Sequence, residues 1–217
     1  MGAAPTKSEI EGVVNRMRLE GKDLLVFPGV YPPSEDTFLL IDALKSRAAG
    51  RALELCCGTG AVGLSVSRRL DSITALDIDP IAVKNTRQNY VKNGLSERLD
   101  AVVGDLFSPL RRQAFDLVFM NPPYLPDKGG EPKSLSWSGG GRGRIIIDRF
   151  IRGLGGFLGE NGRALFVQST LNGIDESLNI IKEEGMVGRV INKVDFQFEG
   201  LVVIEVRHHP PSERLKY

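Results

Sequence analysis

The run Arg51-Ala52-Leu53-Glu54-Leu55-Cys56-Cys57-Gly58-Thr59-Gly60-Ala61-Val62-Gly63 passes from an apolar strand, interrupted by Glu54, into a glycine loop and then a helix reaching about Leu70. Downstream the same unit repeats. Ser72–Asp77 predicts a second strand, and Asp79-Pro80 supplies an N-cap and an N1 proline for a helix to about Asn93. Leu99–Val103 predicts a third short strand ending at Gly104-Asp105-Leu106-Phe107, and Phe115–Met120 a fourth. This alternation predicts an α/β fold, a doubly wound parallel sheet with ligands at the carboxyl ends of its strands. Farther on, Arg144–Leu158 reads as a helix, Arg163–Gln168 as a fifth strand and Ile174–Glu184 as a helix. Val187–Phe198 and Leu201–Arg207 have only Glu199-Gly200 between them, a hairpin connection that makes the last strand antiparallel to its neighbour.

Upstream of the glycine loop, Tyr31-Pro32-Pro33 forces an extended approach to Ser34, a good N-cap for a helix to about Ser46. Glu35, Asp36 and Thr37 fall in its first turn, where the acids complement the helix dipole and Thr37 is placed to hydrogen-bond a ligand. Leu24–Val30 is apolar, and Ser8–Leu19 carries Ile10, Val13, Val14, Met17 and Leu19 at roughly helical spacing. The expected organisation is therefore a helical N-terminal extension over residues 1–50 packed on the core, a main domain over 51–208 and a tail over 209–217. His208-His209-Pro210-Pro211 reads as a solvated end, and no metal site is expected.

The chain has 217 residues, 41% hydrophobic and 25% charged, enough for one α/β domain with a sizeable core. Lys and Arg number 28 against 27 Asp and Glu, a formal net charge of +1, so no global field draws the chain to nucleic acid or a membrane surface. Any polyanion must be met locally. The cysteines, Cys56 and Cys57, are adjacent, which suits neither an ordinary disulfide nor a metal cluster and favours a reducing cytoplasm. With Glu9 and Glu11 near its start and no apolar run approaching the roughly 18 residues of a membrane span, the chain is expected to be soluble and unexported.

Glu54, Asp77, Asp105 and Asn121 lie at or near the ends of four successive strands. Read literally, Gly58-x-Gly60-x-x-Gly63 with Asp77 also satisfies the dinucleotide fingerprint. A pyrophosphate over this loop would meet Glu54, and two like charges ~4 Å apart repel by several kcal/mol at an effective dielectric near 20. S-adenosylmethionine carries no phosphate and presents an ammonium and a sulfonium, for which a carboxylate is a favourable neighbour. Asp77 would accept from both ribose hydroxyls and Asp105 from the adenine amino group. Thr37, Glu54, Gly58, Gly60, Asp77, Ile78, Asp105, Leu106 and Asn121 are the candidate cofactor-binding residues.

The chemistry is placed at Asn121-Pro122-Pro123-Tyr124. A residue before proline is held extended, so Asn121 projects past its strand, and the prolines leave a main chain that accepts hydrogen bonds but hardly donates them. That suits a guest bearing –NH₂. Asn121 Oδ1 and the Pro122 carbonyl take one hydrogen each, while Tyr124 offers a ring face to a planar amide or base. Asn121, Pro122 and Tyr124 are the catalytic candidates.

Glu54-Leu55-Cys56-Cys57-Gly58-Thr59-Gly60, Asp77, Gly104-Asp105-Leu106 and Asn121-Pro122-Pro123-Tyr124 together resemble a class I S-adenosylmethionine-dependent methyltransferase. The resemblance implies a seven-stranded Rossmann-like sheet in the order 3-2-1-4-5-7-6. Two further stretches, Tyr31-Pro-Pro-Ser-Glu-Asp-Thr-Phe38 and Trp137-Ser-Gly-Gly-Gly-Arg-Gly-Arg144 leading to Asp148-Arg149-Phe150, resemble the HemK-type glutamine methyltransferases of the archaeal and eukaryotic kind. What this implies is methylation of the glutamine in the Gly-Gly-Gln motif of a class I peptide-chain release factor, with a small zinc-binding activator subunit as partner. Leu99–Val103, the implied edge strand, is the expected docking point for that subunit, and the Leu125–Gly143 loop and the N-terminal segment are expected to receive the substrate. Cys56 departs from the family's first loop glycine.

Other readings stay open at this level. Asn-Pro-Pro-Tyr also serves enzymes that methylate the exocyclic amine of adenine in nucleic acid, and Lys128, Lys133, Arg142, Arg144 and Arg149 surround the long loop. The near-neutral charge argues against nucleic acid as partner. Lysine methylation as a second activity, a noncatalytic binding subunit and a nicotinamide dehydrogenase complete the alternatives.

Overall fold

The computed structural model describes residues 15–124 and 143–210. It begins with β1 (Asn15–Leu19) and β2 (Lys22–Val26), an antiparallel hairpin in register from Asn15↔Val26 to Leu19↔Lys22. The helix expected over Ser8–Leu19 is therefore a strand across its described part; residues 8–14 lie outside the described residues. Met17 and Leu19 alternate with Arg16 and Arg18, a period of two, and Glu20 and Gly21 both take positive φ, 49° and 74°. Two such residues make the tight turn whose twist matches a hairpin, and pairing with β2 prevails over the helical spacing.

The hairpin is tied to the core by asparagines at i, i+4 spacing on one helix, α3 (Pro80–Lys92), and at its C-cap. Asn85 and Asn89 accept from the backbone N–H groups of Phe27 and Leu25 and donate to the Leu25 carbonyl, while Asn93 bridges the N–H and C=O of Asp23. Side-chain amides thus satisfy main-chain groups of β2 and of Phe27 just after it. Between these elements, α1 (Glu35–Leu44) starts at Ser34, where Thr37 Oγ1 accepts from the Ser34 N–H.

The main sheet comprises β3 (Arg51–Leu55), β4 (Ser72–Asp77), β5 (Leu99–Val103), β6 (Phe115–Met120), β7 (Leu158–Ser169), β8 (Met186–Asp195) and β9 (Gly200–His208). Its order is β5-β4-β3-β6-β7-β9-β8, which is 3-2-1-4-5-7-6 counted from β3, as the resemblance implied. β3 to β7 are parallel, and β9 runs antiparallel to both β7 and β8. The turn after β9's neighbour therefore returns the chain to the sheet interior, and β5 and β8 are left as edges.

Helices cover both faces, as a parallel sheet requires. On one face α1, α2 (Ala61–Val66) and α3 pack against Ala52, Leu117, Phe119, Leu165 and Val203 of the sheet. On the other, α4 (Ile145–Leu154) and α5 (Ile174–Glu183) bury Ile147, Phe150, Ile151, Ile180 and Ile181 against Val118, Phe166 and Ile204. α4 is shorter than the expected Arg144–Leu158, because Gly155 and Gly156 end it before β7 begins. Among the described residues, no helix is long and apolar enough to cross a membrane, and no group of His, Cys, Asp and Glu is placed to hold a metal ion.

Candidate functional site

The carboxyl ends of β3 to β6 and the first turn of α1 enclose a cavity of about 290 Å³. Of the residues expected from sequence, Thr37, Glu54, Gly58, Asp77, Ile78, Asp105, Leu106, Asn121, Pro122 and Tyr124 all line it. Gly60 does not. It takes φ +71° at the N-cap of α2, where an added Cβ would stand 2.7 Å from Thr86 Cγ2, so it allows the loop to close on α3. Non-glycine residues adopt left-handed backbone at Cys56 (φ 54°) and Leu106 (φ 48°), both on the cavity wall. Such conformations cost about 1–2 kcal/mol each and concentrate at functional sites. At Cys56 this explains why a glycine suits the position.

Asp77 closes β4 and organises the loop beside it. Its Oδ2 accepts from the Gly58 N–H at 2.9 Å and its Oδ1 from the Asp79 N–H at 3.0 Å. A carboxylate has about four lone-pair positions, so each oxygen can still accept from a guest. Burial pushes its pKa above the ordinary value despite those hydrogen bonds. Asp105 Oδ2 pairs with Arg149 Nη2 at 2.7 Å, a partner on α4 that the sequence placed near the long loop and in the Asp148-Arg149-Phe150 stretch without linking it to Asp105. Asp105 therefore has one oxygen engaged and one open.

Glu54 behaves differently from the expectation. Its Oε1 accepts from the Gly63 N–H at 3.2 Å, and its Oε2 is buried on the side of Gly63 and Tyr90 without a partner among the described residues. Burial pushes its pKa up to about 8. Burial therefore favours the protonated form of Glu54, and the charge argument against a pyrophosphate rests on Asp77 instead.

At the loop after β6, Asn121 Nδ2 donates to Thr37 Oγ1 at 3.4 Å, and Thr37 Oγ1 donates to Asp36 Oδ1 at 3.0 Å. That chain fixes which way the Asn121 amide faces. Its Oδ1 is buried and has no donor among the described residues. Tyr124 donates its hydroxyl to Asp36 Oδ2 at 3.0 Å, and Tyr31 donates to the same oxygen at 3.1 Å. Burial first, and the Asp36 charge second, push both phenols well above their usual range. Asp36 is 3% exposed and anchors the Tyr124 ring; sequence reasoning read it only as a first-turn acid. Its signal was present in Tyr31-x-x-x-x-Asp36, but the link to Tyr124 spans 88 residues.

Asn172, in the turn after β7, also escaped sequence reasoning. Its Nδ2 donates to the Tyr124 carbonyl at 3.0 Å and its Oδ1 accepts from the Ser169 N–H at 3.2 Å. Buried Arg144 in turn donates to the carbonyls of Asn172 and Gly173 and pairs with Asp148 at 2.6 Å. Both ends of the Leu125–Gly143 segment are thereby tied to the β7–α5 connection; residues 125–142, with Trp137, Lys128, Lys133 and Arg142, lie outside the described residues.

The Methyltransferase small domain family model matches residues 28–184. A relative in Methanocaldococcus jannaschii, assigned as a protein N5-glutamine methyltransferase, is 33% identical over 193 residues, covering 87% of this chain and 96% of its own. Methyltransferase HEMK2 of Homo sapiens is 33% identical over 177 residues, covering 75% of this chain and 82% of its own. Among solved structures, the E. cuniculi Mtq2–Trm112 complex, responsible for methylation of the eRF1 translation termination factor, superposes with a TM-score of 0.68 at 26% identity, covering 83% of this chain and 99% of that one. The match over most of the length, on a sheet with this strand order and this loop at β6, establishes that the chain belongs to the Methyltransferase small domain family.

Proposed function

We propose that this protein transfers a methyl group from S-adenosylmethionine to the side-chain amide nitrogen of the glutamine in the Gly-Gly-Gln motif of a class I peptide-chain release factor. The observation that carries the reading is the buried, unpartnered Oδ1 of Asn121 on the cavity wall, held in orientation by Thr37. A buried acceptor without a donor costs about 1–3 kcal/mol, and an incoming –NH₂ relieves that cost.

The residues present suit the cofactor. The left-handed backbone at Gly58, where an added Cβ would find only Val30 at 4.0 Å, leaves room for close approach over the loop. Asp77 is to hold the ribose hydroxyls, the open oxygen of Asp105 the adenine amino group, and Ile78 and Leu106 the faces of the base. Glu54, beneath the loop, gains stability as a carboxylate when a cation binds above it. The cofactor supplies the electrophilic methyl group.

The chain's own residues then act by position. An amide nitrogen is a poor nucleophile because its lone pair is delocalised into the carbonyl. Asn121 Oδ1 and the Pro122 carbonyl each accept one amide hydrogen, and those bonds strengthen as positive charge develops on nitrogen. Tyr124, its hydroxyl committed to Asp36, presents a fixed ring to the planar amide. Transfer would be direct and in line, with no covalent enzyme intermediate: the new N–C bond replaces the S–C bond of the cofactor, whose thioether is the leaving group, and the amide nitrogen gives up one of its two hydrogens as a proton. The M. jannaschii relative's assignment and the eRF1 link of the Mtq2–Trm112 structure favour a glutamine acceptor over adenine. By the same likeness, the edge strand β5 is to take a small activator subunit, and the cytoplasm is the compartment in which the substrate is met.

The test follows labelled methyl from S-adenosylmethionine to a recombinant release factor and to the same factor with its Gly-Gly-Gln glutamine replaced, with and without a candidate activator. Label on the unreplaced factor alone supports the reading. Label on nucleic acid and on neither factor overturns it.

A further inference from the structure

Four arginines from distant parts of the chain meet at one buried carboxylate. Glu205, on β9 and 1% exposed, is bound by Arg189 of β8 through Nε at 3.0 Å and Nη2 at 2.8 Å, and by Arg207 Nη2 at 2.8 Å. Arg163 Nη1 of β7 and Arg47 Nε, just past α1, each stand 3.7 Å from Glu205 Oε1. No other carboxylate lies within 4.0 Å of these four guanidiniums among the described residues. Four positive groups around one negative leave a local charge of +3 in a chain whose formal net charge is +1.

A single carboxylate neither neutralises nor saturates this cluster. The contacts of Arg47 and Arg163 with Glu205 are charge contacts too long for hydrogen bonds, Arg47 Nη1 donating instead to the Ala43 carbonyl at 2.7 Å, and Arg207 Nε is buried with no acceptor among the described residues. The side chains remain reachable, with exposures of 25% for Arg47, 29% for Arg163, 42% for Arg207 and 65% for Arg189. Burial and then the Arg207 charge lower the pKa of Arg163, the mark of crowded like charges. A guanidinium fork matches phosphate oxygens two at a time, which a lysine ammonium does not. The cluster also stands apart from the catalytic loop. Glu205 pairs with Leu165, whereas Ser169 at the cavity end of β7 pairs with Leu201, a separation of about 13 Å along the strand at 3.3 Å per residue.

We propose that Arg47, Arg163, Arg189 and Arg207 form a binding site for a phosphate-bearing ligand, with Glu205 as the fixed centre that holds the four guanidiniums in place. A bound phosphate supplies the acceptors and the negative charge that Glu205 alone does not. Two sources share this chemistry, a small phosphate compound and the phosphodiester backbone of RNA.

The experiment measures the thermal midpoint of the full chain against sodium phosphate and against sodium chloride at matched ionic strength and pH, and the anisotropy of a labelled single-stranded oligoribonucleotide. Phosphate is expected to raise the midpoint beyond chloride in the wild type. Arg163→Gln with Arg207→Gln is expected to abolish that difference and weaken phosphate binding by about tenfold or more for each guanidinium lost, with methyl transfer unchanged. Where that variant does not fold, Arg189→Gln, at an exposed position, is expected to lower phosphate affinity about tenfold. Glu205→Gln is the sharper arm. Removing the central charge frees the guanidiniums and lowers the midpoint; phosphate is expected to restore that loss, whereas a mere ion-pair network loses stability that phosphate does not restore. Equal midpoints in phosphate and chloride, or an unchanged phosphate response in the arginine variants, would overturn the proposal. Oligoribonucleotide binding that falls steeply with salt identifies an RNA backbone; a response to inorganic phosphate alone identifies a small ligand.

Discussion

Asn121 is oriented by a relay rather than by its own backbone: Asp36 accepts from Thr37, and Thr37 accepts from Asn121 Nδ2. Replacing Asn121 by Ala is expected to lower the single-turnover methyl-transfer rate by about 10²–10³, the range for losing one preorganised hydrogen-bonding group, while titration calorimetry finds cofactor affinity near wild type. Asp77→Ala is expected to do the reverse and chiefly weaken cofactor binding, since Asp77 organises Gly58. Near-normal turnover by Asn121→Ala would remove the proposed mechanism. Glu54 carries a pH signature. Its folded pKa of about 8 lies above the ordinary glutamate value of 4.5, because burial disfavours the carboxylate, so the protonated form is the one the fold prefers. Its contribution to stability is complete below pH 4.5 and is lost as pH rises toward 8. Glu54→Gln keeps an acceptor for the Gly63 N–H without that titration. Denaturation midpoints of the variant, compared with wild type across this window, are expected to fall less steeply with pH; parallel curves would contradict the assignment.

At the level of elements, the most informative joint is the one between α3 and β2. Asn89 accepts from the Leu25 N–H at 2.7 Å and donates to the carbonyls of Leu25 and Thr59, all in the interior. Asn89→Ala strands the Leu25 N–H and the Thr59 carbonyl, and urea denaturation is expected to show a loss of about 2–3 kcal/mol. The Thr59 contact couples the hairpin to the glycine loop, so the same substitution is expected to weaken cofactor binding, which calorimetry on the folded variant checks. An Asn85/Asn89/Asn93 spacing is visible in sequence as one face of a helix. That this face meets a strand, rather than water, is not visible, because β2 lies 64 residues away from Asn89. The misread Ser8–Leu19 segment has the same origin. Its apolar residues satisfy a helical template, and the Glu20-Gly21 turn together with the partner strand decides for pairing.

For the whole molecule, the sheet's open edge at β5 is the feature with consequences. Val103 is 50% exposed there, and the outer backbone groups of Leu99–Val103 face no strand of the described residues. An uncovered edge is a template for strand addition or for aggregation. Val103→Lys is expected to abolish co-purification with a small activator subunit while circular dichroism of the lone chain stays unchanged. A lone wild-type chain that is monomeric and fully active in size-exclusion and methyl-transfer assays would dispense with the partner. The arginine cluster at Glu205 lies across β7, β9 and β8 at the other side of the sheet, so a subunit on β5 leaves it accessible.

The amino-acid sequence by itself determined the order of strands and helices from Arg51 onward, the hairpin that reverses β9, the glycine loop, and the four residues Glu54, Asp77, Asp105 and Asn121 at strand ends. These are local matters of period, turn chemistry and capping, which a dozen residues settle among themselves. Only the tertiary structure decided that Asn15–Leu19 is a strand, that Glu54 faces Gly63 and Tyr90, that Asp105 pairs with Arg149, that Asp36 holds Tyr124, and that four arginines converge on Glu205. Each of those depends on which side chains meet across strand register and helix packing. Register brings together residues far apart in the chain, and no short-range pattern encodes that meeting.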